Sequence, residues 1–354
     1  MAIKVTLILA ILAQFVAAIL ALRLNIRYRI YSAWFFISAA VIVDAIQRFV
    51  SAANLWITIE PIQEVNAAAS LISAVLLLSG ISVLEPFFKR IVQAERTLRR
   101  EHDALAHRVR ETEEEMRLAQ RIQRQLLPNQ VPDIQGLEIA GESNPAEWTS
   151  GDYFDYLPMQ NGNVAIVIAD VSGHGLGPAL LMSTIRTSLR VLAPTTEHVG
   201  ELLSSSNRLI GESTSPSEFV TAFALQYNPN TRQFSYAAAG HVAYLIPASD
   251  TGVFRTMPAD VPPLGVVSEF TIPSSTPLVV SEGDILILLT DGILETRNSQ
   301  GETFGESKML NSVREHRHES AAEILRCLLE ATTRFRGHEP QHDDITAVVI
   351  KSRN

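Results

Sequence analysis

Cysteine is almost absent from this sequence, with Cys327 alone among 354 residues. A single cysteine excludes an intrachain disulfide framework and any cysteine-rich zinc site. Basic residues are also in deficit, since 29 Lys and Arg face 38 Asp and Glu, for a net charge of -9. A chain without a basic excess is not expected to bind nucleic acid. The sequence also lacks a G-x-S-x-G turn and a nucleophilic cysteine motif, so it does not indicate a covalent hydrolase.

Long hydrophobic runs are concentrated near the N-terminus. Residues 5–22 carry no charge, and residues 30–50 and 66–84 are largely apolar. At about 1.5 Å per helical residue, each run is long enough to cross a bilayer, so residues 1–86 are predicted to hold three transmembrane helices. Basic residues after the first and third runs predict that the downstream chain is cytoplasmic. We therefore expect a multi-pass protein of the cell membrane, with Asp44 either inside the helix bundle or at a span boundary.

A charged helical pattern without glycine or proline follows over residues 87–127. Apolar residues recur in it every seven positions, which is the spacing of a coiled-coil seam. The seam is imperfect, because Glu95, His102 and Gln123 also fall on it. Two interpretations stay open: a parallel coiled coil that makes the protein a homodimer, which we favour, and a single solvated helix.

Residues 128–354 have the pattern of a separate globular domain. Short apolar and β-branched runs with hairpin spacing are interspersed with helical patterns, which indicates an α+β fold with largely antiparallel sheets. Aspartates stand where four of these runs begin or end. They are Asp152 and Asp155 in "SGDYFDY", Asp170 after "VAIVIA", Asp291 after "ILILLT", and Asp343 and Asp344 before "ITAVVI".

An aspartate at a strand end is common in turns, and for any one of them alone that is the better interpretation. Repetition at four strand ends changes the balance, because carboxylates that share a cleft repel each other unless cations lie between them. The ligands are oxygen atoms only, which suits Mg²⁺ or Mn²⁺ and not Zn²⁺. The sequence therefore predicts a metal centre.

Seven ordered blocks over about residues 118–352 resemble one known family. They are "LAQRIQRQLLP", "PAEWTSGDYFDY", "IADVSGHGLGPALLMSTIRTSLR", "AAAGHVAYL", "PPLGV", "LLTDGILETRNSQGETFG" and "DDITAVVI". Together they resemble the SpoIIE/RsbU branch of the bacterial PPM-type (type-2C-like) serine/threonine protein phosphatases. The resemblance implies an αββα sandwich, two antiparallel sheets flanked by helices, with two Mn²⁺ or Mg²⁺ ions at one end. It also implies metal-assisted hydrolysis of phosphoserine or phosphothreonine without a protein nucleophile.

The resemblance also implies a set of metal ligands by position. These are Asp152, Asp170, Asp291, Asp343 and the backbone carbonyl of Val171. Asp344 is a weaker candidate ligand, because relatives often have asparagine at its position. Ser150 stands where relatives usually have glycine.

The glycine-rich turn after Asp170 is expected to meet the substrate. Gly173 and Gly175 lack side chains, so the phosphate group can approach their backbone. His174 could protonate the leaving serine oxygen, because the usual pKa of histidine suits that task, and packing within the loop is the alternative. His241 in "AGHVAYL" matches a family block in which a structural hairpin role is the first interpretation.

Relatives in this branch remove phosphate from a small STAS-domain anti-anti-sigma protein. Together with the predicted membrane helices, the resemblance implies a membrane-anchored phosphatase of a partner-switching pathway, and the helical linker implies control by a signal that passes through residues 87–127. Two other classes stay open. A histidine-kinase-type ATP-binding domain requires D-x-G-x-G, whereas "DVSGHG" has the spacing D-x-x-G-x-G. A catalytically degenerate binding module is disfavoured by the intact set of aspartates.

Overall fold

A computed structural model of the chain describes residues 19, 31–53, 62–211, 218–249, 254–259 and 261–353. The chain divides into two compact units, Met1–Arg110 and Glu111–Asn354.

The first unit is helical throughout its described residues. Helix α1 spans Tyr31–Ala53, and helix α2 spans Ile62–Leu126, so α2 extends beyond this unit. Pro86 lies inside α2 and does not end it. The predicted boundary at residue 86 is therefore not a break in the helix.

The prediction of three membrane helices is corrected by the structure. In the described part of the chain, no helix combines the length and the apolar character needed to cross a bilayer. One physical reason is visible in α1, where Asp44 and Arg48 form an ion pair at 3.5 Å and place charges within the apolar run. The predicted span over residues 5–22 lies outside the described residues, Ile19 apart. On this finding the expected location, a multi-pass protein of the cell membrane, is wrong.

The second unit holds two antiparallel sheets, each of five strands within the described ranges. The strands are β1 (Leu137–Asn144), β2 (Tyr153–Pro158), β3 (Val164–Val171), β4 (Val220–Asn228), β5 (Gln233–Ala239), β6 (Ala243–Ile246), β7 (Arg255–Met257), β8 (Leu278–Val279), β9 (Ile285–Leu289) and β10 (Ile345–Ser352). The first sheet has the order β1-β10-β9-β6-β7, and the second has the order β2-β3-β4-β5-β8.

Helices accompany both sheets. They are α3 (Leu176–Leu192), α4 (Val199–Gly211), α5 (Asp291–Glu295), α6 (Gly305–Glu315) and α7 (Ala321–Arg336), with short 3-10 turns at Gln160–Gly162 and Ala193–Thr195.

The alternation of side chains along each strand builds a layered core. In β3, Ile166 and Ile168 pack between the sheets, in one cluster with Leu288 of β9 and Val348 of β10. The intervening Val167 points the other way, because successive strand residues face opposite sides of a sheet. Its cluster includes buried residues of α3 and α4.

The outer face of the first sheet is covered in the same way. Ile287 of β9 belongs to a third cluster with Met309 of α6 and Leu328 of α7. Helices therefore cover both outer faces of two face-to-face sheets. This confirms the expected α+β fold with two antiparallel sheets flanked by helices.

Candidate metal centre

The strand ends that carry the predicted aspartates are neighbours in the fold. Asp152 directly precedes β2, and Asp170 is the second-last residue of β3, its neighbour in the same sheet. Asp291 begins α5 just after β9, and Asp343 lies two residues before β10, the neighbour of β9 in the other sheet. The two sheets thus bring acidic residues from four segments to one region of the molecule.

Asp152 is the most deeply placed of these residues, with 2% of its surface exposed. Its Oδ2 accepts a hydrogen bond of 2.9 Å from the Thr290 hydroxyl, and its backbone N–H donates to Ser150 Oγ at 3.0 Å. Burial raises the pKa of Asp152 well above its usual value, and the negative charge of Asp170 adds to the shift. The carboxylate is therefore held in place, in surroundings that disfavour an uncompensated negative charge.

The other carboxylates repel each other in the same way. Burial, followed by the charges of Asp291 and Asp343, raises the pKa of Asp170 to about 7. Burial also raises the pKa of Asp291, and the charges of Asp343 and Glu295 contribute. Besides burial, the negative charge of Asp343 therefore makes ionisation of both Asp170 and Asp291 more costly.

The donor set fits divalent cations of the Mg²⁺ and Mn²⁺ type. Its members are oxygen donors, which these cations prefer, and the raised pKa values show negative charge that lacks a balancing positive charge. As the side chains stand, no three or more His, Cys, Asp and Glu residues of the described ranges surround a point that could hold an ion. The predicted ligand roles of Asp152, Asp170, Asp291 and Asp343 therefore stay predictions.

The backbone of Val171 lies against the loop before β2. A Cβ atom on Gly151 would come within 2.9 Å of the Val171 carbonyl oxygen, closer than real contacts allow. Glycine at this position therefore permits the loop that carries Asp152 to pass beside the predicted carbonyl ligand.

Asp344 connects three segments of the centre. Its Oδ1 accepts from the Ala146 N–H at 2.8 Å, and its Oδ2 accepts from the Gly151 N–H at 3.0 Å. Its carbonyl oxygen would lie 2.0 Å from a Cβ atom on Gly292 in α5. Asp344 thus holds the loop before Asp152 and meets the helix that begins at Asp291, whereas its predicted role as a metal ligand stays untested.

The glycine-rich turn after β3 has the backbone that its residue types suggest. Gly173 and Gly175 have φ values of 87° and 91°, which side-chain-bearing residues rarely adopt. Gly175 directly precedes α3, and His174 is exposed, with its Nδ1 3.4 Å from Glu147 Oε1. The roles of these three residues in substrate binding and proton transfer stay predictions.

Asp155 does not join the other aspartates. Its carboxylate accepts from Arg190 Nε at 2.6 Å and Nη2 at 2.8 Å, and from the Tyr153 hydroxyl at 2.5 Å. Arg190 belongs to α3, so Asp155 lies on the helix-covered face of its sheet. This aspartate pairs with a cation of the fold and is not available to a metal.

Three further residues support the centre without having been predicted to do so. Thr290 binds the carboxylate of Asp152, and its position next to Asp291 was the only sequence signal. Gln123 binds both backbone groups of Ser150, and an interruption of the heptad seam was its signal.

The third supporting residue is Thr221, which pairs across the sheet with Asp170. Its hydroxyl oxygen lies 3.0 Å from His241 Nδ1. Burial lowers the pKa of His241 to about 4, so this imidazole is neutral near pH 7. His241 thus packs, uncharged, beside the strand that carries Asp170.

Comparison with known proteins decides the family. Residues 160–353, more than half of the chain, match the family described as "Stage II sporulation protein E (SpoIIE)". The chain belongs to the SpoIIE family. It is 30% identical over 254 residues to the phosphoserine phosphatase RsbU of Bacillus subtilis (strain 168), which covers 72% of this chain and 74% of RsbU.

Solved structures agree with the SpoIIE fold. The RsbU and RsbW domains of Rv1364c from Mycobacterium tuberculosis are 27% identical and cover 65% of this chain and 63% of that one, with a TM-score of 0.54. The SiaA-PP2C domain of Pseudomonas aeruginosa covers 68% of this chain and 97% of its own, with 21% identity and a TM-score of 0.60, and supports the fold alone.

The expected activity class is confirmed at the level of the SpoIIE family. The chain is a metal-dependent serine/threonine phosphatase. Phosphatases of this type use two Mn²⁺ or Mg²⁺ ions.

Proposed function

We propose that this protein removes phosphate from phosphoserine or phosphothreonine on a STAS-domain anti-anti-sigma protein, within a partner-switching pathway. Two comparisons support the proposal. One relative is named a phosphoserine phosphatase, and another has been solved with its RsbU and RsbW domains. The seven sequence blocks that resemble this branch point to the same substrate class.

The observation that carries the proposal is the group of carboxylates at adjoining strand ends, in which Asp152 is buried and the pKa values of Asp152, Asp170 and Asp291 are raised by burial and by neighbouring carboxylates. Asp152, Asp170, Asp291, Asp343 and the carbonyl of Val171 would hold the ions. Bound ions of this kind supply a water of lowered pKa and stabilise the charge on the phosphoryl oxygens.

The surrounding residues of the chain prepare this reaction. Thr290 and Ser150 orient Asp152, so the carboxylate does not have to be ordered when the ions bind. Asp344 acts chiefly as a positioning residue, since its carboxylate oxygens hold the loop before Asp152. His174 is exposed beside the turn and would protonate the leaving serine oxygen.

We propose in addition that residues 87–127 pair with a second copy of the chain. Their described seam carries apolar side chains that are strongly exposed: Ile91 (47%), Leu98 (67%) and Leu105 (55%). A second helix would cover them, which favours association. Light scattering should give the mass of a dimer for the native chain and a smaller mass for a Leu98→Glu/Leu105→Glu variant; a monomeric native chain would refute this pairing.

Phosphate release from a phosphoserine STAS-domain protein tests the main proposal. The full chain should release phosphate with Mn²⁺ and not with EDTA, and Asp170→Asn and Asp291→Asn should each lower the rate by more than about 100-fold. Asp133→Asn is the matched control, because Asp133 is exposed and lies outside the centre.

The remaining outcomes separate the parts of the proposal. Hydrolysis of p-nitrophenyl phosphate without release from the STAS protein would refute the substrate and retain the phosphatase. Release in EDTA, or full activity of both variants, would refute the assigned centre. If the chain hydrolyses neither p-nitrophenyl phosphate nor the phosphorylated STAS protein in the presence of Mn²⁺, the result favours a catalytically degenerate binding module.

A further inference from the structure

A small cavity of about 150 Å³ adjoins the candidate metal centre, and we call it the Arg336 cavity. Its walls come from α5 and the turn after it, from the end of α7, and from the loop before β10. Charged and titratable side chains dominate the lining. These are Glu295, Arg297, Arg336, His342 and Asp343.

Arg336 is held at this cavity by a chain of hydrogen bonds. Its Nη1 donates to Gln341 Oε1 at 3.0 Å. The amide of Gln341 is fixed in turn, because its Nε2 donates to the carbonyls of Asp343 at 2.9 Å and Asn144 at 2.8 Å. The guanidinium therefore has a defined place beside the loop that carries Asp343.

The guanidinium of Arg336 also carries one unpaired hydrogen-bond donor within the described ranges. The Nε atom of Arg336 is buried and meets no hydrogen-bond partner within the described ranges. A buried donor without an acceptor is energetically unfavourable, so an acceptor that reaches it recovers that cost. Arginine is suited to a planar anion, which it binds through two parallel hydrogen bonds.

The size and position of the cavity limit what can enter it. A volume of about 150 Å³ leaves room for one side-chain group. Arg297 and Arg336 contribute positive charge, and Glu295 and Asp343 contribute negative charge. When Asp343 binds a cation, its charge is compensated, and the two arginines then favour an anion.

We propose that the Arg336 cavity receives the carboxylate of an acidic residue next to the phosphorylated residue of the protein substrate. This inference rests on the proposed function, because the phosphoryl group must lie at the centre that contains Asp343. The acidic neighbour then reaches a cavity that shares Asp343 as part of its wall. Arg336 and Arg297 select phosphoserine sequences with an adjacent Asp or Glu over neutral ones.

Phosphoserine peptides that differ only in neighbouring residues test this selectivity. The probes carry either Glu or Gln at each position from three before to three after the phosphoserine. The native full chain should prefer one Glu peptide over its Gln counterpart by about tenfold in kcat/KM, through KM, which is the size of one charge-assisted pair. Arg336→Gln and, separately, Arg297→Gln should each bring this ratio close to one.

Arg334→Gln is the matched control, because Arg334 belongs to the same helix and does not line the cavity. It should retain the preference. A native enzyme without any preference, or a preference that survives in both cavity variants, would overturn the inference. The inference would also be overturned if Arg336→Gln and Arg297→Gln changed the inhibition by inorganic phosphate but left the Glu-to-Gln peptide ratio unchanged. The cavity would then bind free phosphate.

An assay of the native chain with p-nitrophenyl phosphate and Mn²⁺ distinguishes failure of the proposed function from failure of the cavity assignment. No hydrolysis would remove both proposals together. Hydrolysis without peptide preference would remove the cavity assignment alone. Because both variants are scored by a ratio of two peptides, a general loss of folded protein cannot imitate the expected result.

Discussion

The side-chain amide of Gln123 makes two hydrogen bonds with the backbone of Ser150. Its Nε2 donates to the Ser150 carbonyl at 2.6 Å, and its Oε1 accepts from the Ser150 N–H at 2.9 Å. Gln123 lies near the end of α2, and Ser150 lies two residues before Asp152. The last turn of α2 is thereby tied to the loop that carries the deepest aspartate of the metal centre.

Replacement of Gln123 by alanine should weaken both the fold and the metal site. It leaves two buried backbone groups of Ser150 unpaired, which lowers the free energy of unfolding by about 1–3 kcal/mol. Apparent Mn²⁺ affinity should fall by about tenfold, because the loop before Asp152 loses its anchor. Urea unfolding and Mn²⁺ titration of activity measure the two effects. Gln125→Ala, at an exposed position of the same helix, should change neither quantity.

Metal affinity should depend on pH around neutrality. Burial, with the charges of Asp291 and Asp343, raises the pKa of Asp170 to about 7, so a cation must displace a proton below that pH. If one proton is displaced, Mn²⁺ affinity should fall by about tenfold for each pH unit below neutrality. Isothermal titration calorimetry in buffers of different ionisation enthalpy counts the protons released. A Mn²⁺ affinity that stays constant from pH about 8 to about 6 would contradict this prediction.

The raised pKa of Asp170 also determines how the stability of the metal-free protein changes with pH. Because the folded pKa of Asp170 is raised above the usual value of 3.8, this group stabilises the fold most below pH 3.8. That contribution is lost as the pH rises towards about 7. In EDTA the native chain should therefore lose stability over this range relative to Asp170→Asn, and added Mn²⁺ should reverse the loss near pH 8.

Gly292 should not tolerate even a methyl group. Its Cβ would lie 2.0 Å from the Asp344 carbonyl oxygen, a backbone atom that cannot rotate away. Gly292→Ala should lower the free energy of unfolding by about 1–3 kcal/mol and reduce Mn²⁺-dependent activity, since Asp291 is its neighbour. Gly177→Ala in α3 is the control, because its Cβ would meet no atom of the described residues within 4 Å apart from its chain neighbours and the nearby backbone of its own helix. That control should gain about 0.4–1 kcal/mol, and equal behaviour of the two variants would refute the steric argument.

Arg190 should stabilise the fold chiefly by compensating the buried charge of Asp155. Asp155 is fully buried and receives two hydrogen bonds from the Arg190 guanidinium. Arg190→Met leaves that carboxylate without its cation and should lower the free energy of unfolding by about 3 kcal/mol. Asp155→Asn/Arg190→Met should be more stable than Arg190→Met, because the buried charge is removed. Thermal unfolding of the single and double variants measures this coupling, and simple additivity of their effects would contradict it.

The strands of the two sheets were predicted well where they are buried on both faces. The runs "VAIVIA", "ILILLT" and "ITAVVI" match β3, β9 and β10 closely, since a continuous apolar run is a local signal. The segment "SGDYFDY" was predicted to hold a strand end, but no apolar run marked strand β2, because Asp155 interrupts its apolar pattern. Arg190, the hydrogen-bond partner of Asp155, lies 35 residues away in sequence, so no local pattern shows that the Asp155 carboxylate is paired.

The heptad seam of residues 87–127 shows the same limit of prediction from local sequence. Gln123 counts as a defect in a heptad pattern that extends along one helix. In the tertiary structure it is a buried anchor of Ser150, which stands 27 positions further along the chain. A pattern within one helix cannot indicate a partner that only the fold brings near.

The sequence by itself determined the α+β class and the aspartates at strand ends, because both depend on local apolar periodicity and on residue type at the point where a run stops. The tertiary structure decided which of those aspartates meet. Asp152 and Asp170 meet at one region of the sandwich, where burial and neighbouring carboxylates raise both pKa values, whereas Asp155 pairs with Arg190 on the helix-covered face. The reason is that neighbouring side chains of a strand face opposite sides, and only packing sets what each side meets.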